Sequence, residues 1–196
     1  MIKRIFDILF SLFSLIILSP FFIIIALLIK IDSKGGIFFL QERVGYKSKI
    51  FKIIKFRSMY NNCNNHNNLI TIDNDQRITK IGMVLRKYKI DEIPQLINVL
   101  IGEMSLVGPR PEVSKFVKLY PKESIKTIFS VRPGITDLAS LKYRYESELL
   151  SNNSNPEEYY INHILPEKVK LYKYYAKNNN FILDIFIILK TIISIF

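Results

Sequence analysis

An uncharged, apolar run from Ile8 to Ile29 constrains this chain more than any other feature. As a helix it is long enough to cross a hydrocarbon core of about 30 Å. It exceeds the roughly 7–15 apolar residues of a signal peptide, and no small-residue cleavage pattern follows it. A membrane anchor is therefore expected. Ser19 and Pro20 stand near its middle. Proline removes a backbone donor and crowds the preceding turn, so the helix should break there. A serine hydroxyl can satisfy a backbone group so released. Both flanks are basic, with Lys3 and Arg4 before the run and Lys30 and Lys34 after it. The positive-inside rule then places both ends on the cytoplasmic side. The expectation is a re-entrant helix–break–helix over residues 1–34, with a single span as the alternative.

The remainder is a basic and apolar chain. The formal charge is +11 from 28 Lys and Arg against 17 Asp and Glu, and 49% of residues are hydrophobic. A nucleic-acid binder is seldom so apolar, whereas anionic headgroups attract such a surface. Cys63 is alone, which excludes an intrachain disulfide, and two distant histidines, His66 and His163, argue against a zinc centre. Residues 1–196 read as one α+β, mostly helical domain that includes the anchor. Ile37–Val44 and Ile50–Phe56 are apolar runs around Gly45–Lys49, a short β-hairpin. The polar stretch Asn61–Asp75 reads as a loop. Ile81, Val84, Leu85 and Tyr88 make one helical stripe, with Thr79 as N-cap. Ile93, Leu96, Ile97, Leu100 and Ile101 make another, closed by Gly102. Two proline-rich turns follow, around Pro109-Arg110-Pro111 and Pro133-Gly134, the second expected as type II. The apolar tail Phe181–Phe196 is short for a span and fits a helix in the core or the membrane interface.

Asp91-Glu92 stands just before the second stripe. Helix capping explains such a pair, since Asp is a favoured N-cap, Glu suits a first turn and Pro94 is tolerated there. A carboxylate so placed can also attack phosphorus or bind Mg²⁺ beside substrate phosphates. Cations surround the pair in loop or turn settings: Lys55, Arg57, Arg77, Arg86, Arg110 and Arg132. Any one of them alone reads as a solvated charge. Arg110, fixed between two prolines, is the best placed to present a fork to phosphate, and its side chain is expected to face solvent.

From Lys3 to Thr191 the chain resembles the small monotopic phosphoglycosyl transferases, the bacterial sugar transferases. The matching pieces are Lys3-Arg4-Ile5-Phe6-Asp7, Ser19-Pro20, Phe39–Gly45, Lys55–Met59, Asp91–Leu96, Met104–Pro111, Arg132–Thr136, Leu183-Asp184 and Lys190-Thr191. The resemblance implies transfer of sugar 1-phosphate from a UDP-sugar to polyprenyl phosphate with release of UMP. It implies Mg²⁺ dependence, a covalent phosphosugar on Asp91, help from Glu92 at the metal, and a phosphate held by Arg110. Lys55, Arg57 and Arg86 are the further phosphate-binding candidates. It implies a re-entrant anchor in the bacterial inner membrane, a cytoplasmic active site carried on surface helices, and a catalytic unit without the extra transmembrane helices of larger members. The partners are then UDP-sugar, polyprenyl phosphate and membrane lipids, with no nucleic acid; a homo-oligomer is compatible. Departures from the family pattern fall at Asp137, Ser140 and Tyr172, and bear on which sugar is carried. The alternatives are a non-catalytic, membrane-anchored scaffold and a peripheral nucleic-acid binder.

Overall fold

The computed structural model describes residues 2–60, 70–72 and 75–195. Most of the expected loop, with Cys63 and His66, lies outside the described residues. The first helix, α1, runs Ile2–Asp32 with Pro20 inside it. It is one helical element rather than two separated by a break. Ser19 Oγ donates to Ile16 O at 2.8 Å, so the serine stabilises the turn before the proline. Most of the apolar side chains of α1 are exposed, and only Asp7, Ser11 and Ile29 are fully buried. The helix is long and apolar enough to cross a membrane.

Both ends of α1 are tied to the same body. At the start, Lys3 Nζ meets Asp184 Oδ2 at 2.6 Å and Val107 O at 3.0 Å. The Arg4 guanidinium donates to Val99 O and Leu100 O at 2.7 and 3.1 Å. Asp7 accepts from Ser105 Oγ at 2.7 Å. At the far end, Arg57 donates to Ser33 O and Lys34 O at 2.7 and 2.9 Å, and Asp32 accepts from Ile81 N at 2.9 Å.

The expected hairpin is present as β1 (Phe38–Val44) and β2 (Ile50–Phe56), antiparallel, with Phe38 opposite Phe56 and Val44 opposite Ile50. Helix α2 (Lys80–Lys87) has the expected cap, Thr79 Oγ1 accepting from Gly82 N at 2.9 Å. Of its stripe only Leu85 is fully buried, while Val84 and Tyr88 are exposed. In α3 (Gln95–Ile101) the buried residues are Gln95, Leu96, Asn98 and Val99, so of the expected stripe only Leu96 is fully buried. Ile101 is exposed, beside the Arg4 end of the anchor. Gly102 closes α3 in the left-handed region, φ 97°.

Strand β3 (Ser105–Val107) precedes α4 (Ser114–Val117) and α5 (Lys122–Ile128), and β4 (Gly134–Thr136) pairs with β3 in parallel. This pairing corrects the expected type II turn: Gly134 lacks the positive φ such a turn requires. Its glycine is needed for close approach instead. A Cβ on Gly134 would lie 2.1 Å from Gly108 N, and one on Gly108 would lie 2.2 Å from Arg132 O. The two proline-rich segments thus cross backbone on backbone. Gly134→Ala should therefore cost about 3 kcal/mol or more, read as a lowered denaturant midpoint, because backbone rather than a movable side chain must give way.

The chain finishes with α6 (Leu138–Lys142), α7 (Glu146–Ser151), α8 (Pro156–Tyr159), a π-turn over Tyr160–Ile164, α9 (Leu165–Asn178) and α10 (Phe181–Ile195). The largest core cluster joins Val113, Phe116, Tyr120 and Phe129 to Tyr160, Val169 and Tyr172. Helix α10 buries Asp184 and Ile187 and leaves Ile182, Phe186, Leu189 and Ile193 exposed, so it is packed on one face and is not a core helix. Two of the departures explain each other: Asp137 caps α6, accepting from Ser140 N at 3.0 Å and Ser140 Oγ at 2.7 Å. Tyr172 is a core residue of α9.

Candidate active site

The chain reaches the carboxylate pair through a constrained turn. After α2, Lys89 adopts φ 56°, a left-handed conformation that costs a non-glycine residue of the order of 1 kcal/mol or more. A 3₁₀ turn, Ile90–Glu92, follows, and Pro94 opens α3. The pair therefore sits between two helices, and Asp91 is not a cap: its carboxylate accepts no hydrogen bond among the described residues. Both acids are buried, with 7% of Asp91 and 8% of Glu92 exposed.

The two carboxylates are differently employed. Glu92 accepts from Lys55 Nζ at 2.7 Å and from both Nη atoms of Arg110, with Nη1 to Oε2 at 3.1 Å. This is a fork-on-fork pairing. Burial alone would raise the Glu92 carboxyl, but the Arg110 and Lys55 cations outweigh it and hold its pKa well below the usual carboxylate range. Glu92 in turn raises Arg110 well above its ordinary value. Burial lowers the Lys55 ammonium pKa against the pull of Glu92. Asp91 goes the other way: burial raises its carboxyl pKa, with Lys55 and Arg86 opposing.

Packing fixes the cations. Asn98, fully buried on α3, accepts from Ile54 N at 3.0 Å and donates to Lys52 O at 2.8 Å, which fastens β2 to α3 and sets Lys55 beside Glu92. Arg43 on β1 donates to Pro111 O at 3.1 Å, and Val44 N donates to Glu112 O at 2.9 Å. These bonds hold the Pro109–Pro111 segment that carries Arg110. Neither Asn98 nor Arg43 was foreseen as a supporting residue. The only sequence signal was the polar Asn98 within an apolar stripe, and Arg43 within the Phe39–Gly45 piece.

Of the predicted residues, the structure brings Asp91, Glu92, Lys55, Arg86 and Arg110 to one cavity of about 1800 Å³. The Arg86 guanidinium makes no hydrogen bond or ion pair among the described residues and is open to an anionic ligand. Arg110, expected to face solvent, is instead held by Glu92. Arg57 borders the cavity, yet its Nη atoms are taken by carbonyls at the end of α1, so it serves the anchor. Arg77 is bound to Asp75, at 2.6 Å from Nη2 to Oδ2. Arg132 donates to Gly102 O at 2.8 Å and stacks on Tyr46, away from the pair. Ser19 and Pro20 lie in the anchor.

For magnesium, the fit rests on Asp91. Both oxygens of Glu92 are paired, whereas Asp91 is a buried carboxylate with open lone pairs, and no cluster of three potential ligands exists among the described residues. One carboxylate completed by phosphate oxygens and water suits Mg²⁺. The cavity also touches Phe10 and Leu18 of α1 and Ile192 of α10, so it opens beside the apolar helices.

A family model described as bacterial sugar transferase matches residues 1–196. The chain is 39% identical to a UDP-N-acetylgalactosamine-undecaprenyl-phosphate N-acetylgalactosaminephosphotransferase of Aeromonas hydrophila, over 99% of this chain and 43% of that protein. It is 37% identical to an exopolysaccharide production protein of Rhizobium leguminosarum, over 98% of this chain and 94% of that one. It is also 37% identical to a UDP-glucose:undecaprenyl-phosphate glucose-1-phosphate transferase of Escherichia coli, over 84% of this chain and 36% of that one. The chain thus spans less than half the length of two of these relatives and nearly all of the third.

Proposed function

Because the chain belongs to the bacterial sugar transferase family, we propose that it transfers sugar 1-phosphate from a UDP-sugar to polyprenyl (undecaprenyl) phosphate. UMP is released, and the product begins assembly of a surface glycan. The observation that carries this reading is Asp91: a buried carboxylate without a hydrogen-bond donor among the described residues, in a cationic cavity that opens beside membrane-seeking helices.

The reaction follows as two displacements at one phosphorus. An oxygen of Asp91 attacks the phosphorus that carries the sugar, and the bond to the bridging oxygen breaks, so UMP leaves with that electron pair. An oxygen of polyprenyl phosphate then attacks the same phosphorus and expels Asp91, which leaves polyprenyl diphosphosugar and a regenerated carboxylate. Arg86 and Lys55 bind and neutralise diphosphate oxygens, and Glu92 holds Arg110 in one orientation toward them. Magnesium would be held by Asp91 and would supply charge neutralisation on the leaving group. Purified enzyme should release UMP from one or more UDP-sugars when polyprenyl phosphate is present. A protein that binds the lipid yet turns over no donor would be a scaffold.

The anchor is re-entrant, and the cavity faces the cytoplasm at the inner membrane. The basic flanks support this reading, as does the attachment of both ends of α1 to one body. Cysteines introduced at positions 3 and 34 should show equal protection from an impermeant thiol reagent in intact cells. Labelling of one position only would mean a single span.

A further inference from the structure

We infer that the cavity wall built from α7 and α9 recognises the glycosyl group of the donor through Lys168 and Glu146, an inference that rests on the proposed transferase reading. Lys168 Nζ lies 2.5 Å from Glu146 Oε2, with side-chain exposures of 6% and 28%. Both residues line the cavity that holds Asp91. A buried ion pair is weak evidence of a stabilising role, because desolvation offsets the attraction. Here the pair also retains hydrogen-bonding capacity. The ammonium has three donors and one anionic partner among the described residues, and the carboxylate uses one of its oxygens.

The pair belongs to a row of polar groups that leads back to the catalytic arginine. The Lys168 ammonium sits over the Tyr160 ring, 4.9 Å from its centroid. Tyr160 OH donates to Glu112 Oε1 at 3.0 Å, and Glu112 Oε2 lies 3.6 Å from Arg43 Nη1. Arg43 holds the segment that carries Arg110. The row pairs two carboxylates with two cations, so it offers no net positive charge to a phosphate, and its charges exclude an isoprenoid chain. What fits is a neutral polyhydroxylated group. Sugar hydroxyls both donate and accept, a carboxylate can take two neighbouring hydroxyls, and an ammonium can take the next.

The test uses the full-length enzyme with saturating polyprenyl phosphate and a panel of epimeric UDP-sugars, with Glu146→Gln and Lys168→Gln as variants. Loss of a charged partner to a sugar hydroxyl should raise KM for the preferred donor roughly 10–100-fold and narrow the selectivity between epimers. UDP, which lacks the sugar, should inhibit the variants as well as it inhibits the wild type. Unchanged KM and selectivity would make the pair structural, and an equal loss of UDP inhibition would make this wall a uridine site; either result overturns the inference. Glu146, with its partly exposed side chain, carries the test alone if thermal melting shows that Lys168→Gln does not fold. Wild-type enzyme inert toward every donor would instead overturn the transferase reading itself.

Discussion

Asp91→Asn should lower sugar-phosphate transfer by about three orders of magnitude or more and leave the fold intact. An amide matches the shape of the carboxylate but cannot act as the phosphorus nucleophile. Stability should not suffer, because Asp91 caps no helix and accepts no hydrogen bond among the described residues. Its charge is also disfavoured by burial, which raises its pKa. A neutral side chain there should leave the urea midpoint unchanged or raise it. Steady-state UMP release and a denaturation curve on the same preparation check both halves. A lowered midpoint would mean that Asp91 holds the structure together.

Glu92→Gln should show the reverse emphasis, a large loss of stability. The carboxylate joins Lys55 and Arg110, whose side chains are 16% and 28% exposed. Without its charge, two poorly solvated cations face one another, and breaking such a pair costs about 3 kcal/mol. The pH dependence has a definite sign. The folded-state pKa of Glu92 is depressed, so its contribution is present above the unfolded value of about 4.3 and is lost as pH falls through the depressed one. The stability gap between wild type and Glu92→Gln should therefore be widest near neutrality and close in acid. Activity should fall as well, because Arg110 loses the fork that orients it. A gap that did not change with pH would show that the lost hydrogen-bond geometry, and not charge, is what Glu92 supplies.

Much of this architecture was legible in the residues because it depends on local chemistry. The apolar run marked a helical anchor, two short apolar runs around Gly45–Lys49 marked the β1–β2 hairpin, and Thr79 and Gly102 marked helix ends through their capping roles. What was missed depends on contacts distant in sequence. The β3–β4 pairing joins two three-residue segments across the intervening α4 and α5, and no periodicity is visible in so short a strand. The buried face of α3 was misjudged because Asn98 is polar by type yet clamps β2, while Ile101 is apolar yet lies beside the anchor. Lys89 gave no sign of its left-handed turn, since the residue type favours no such conformation.

The cations show the same limit. The sequence could name Lys55, Arg57, Arg77, Arg86, Arg110 and Arg132 as cations around the pair, and Lys55, Arg57, Arg86 and Arg110 as phosphate-binding candidates, but could not assign their partners. Folding gives Arg57 to the end of α1 and Arg132 to Gly102 O, and leaves Arg86 open to a ligand. It also divides the carboxylate pair. Adjacent residues in a tight turn point in different directions, so Glu92 meets two cations while Asp91 faces the cavity without a donor among the described residues.

The central claim is that Asp91 becomes covalently linked to the sugar phosphate, and mass spectrometry of the enzyme treated with UDP-sugar alone tests it most directly. Without lipid acceptor, up to one equivalent of UMP should appear. The peptide containing Asp91 should gain the mass of one sugar phosphate, and Asp91→Asn should give neither signal. UMP release that strictly requires polyprenyl phosphate, with no adduct on that peptide, would contradict the account and favour a single direct displacement.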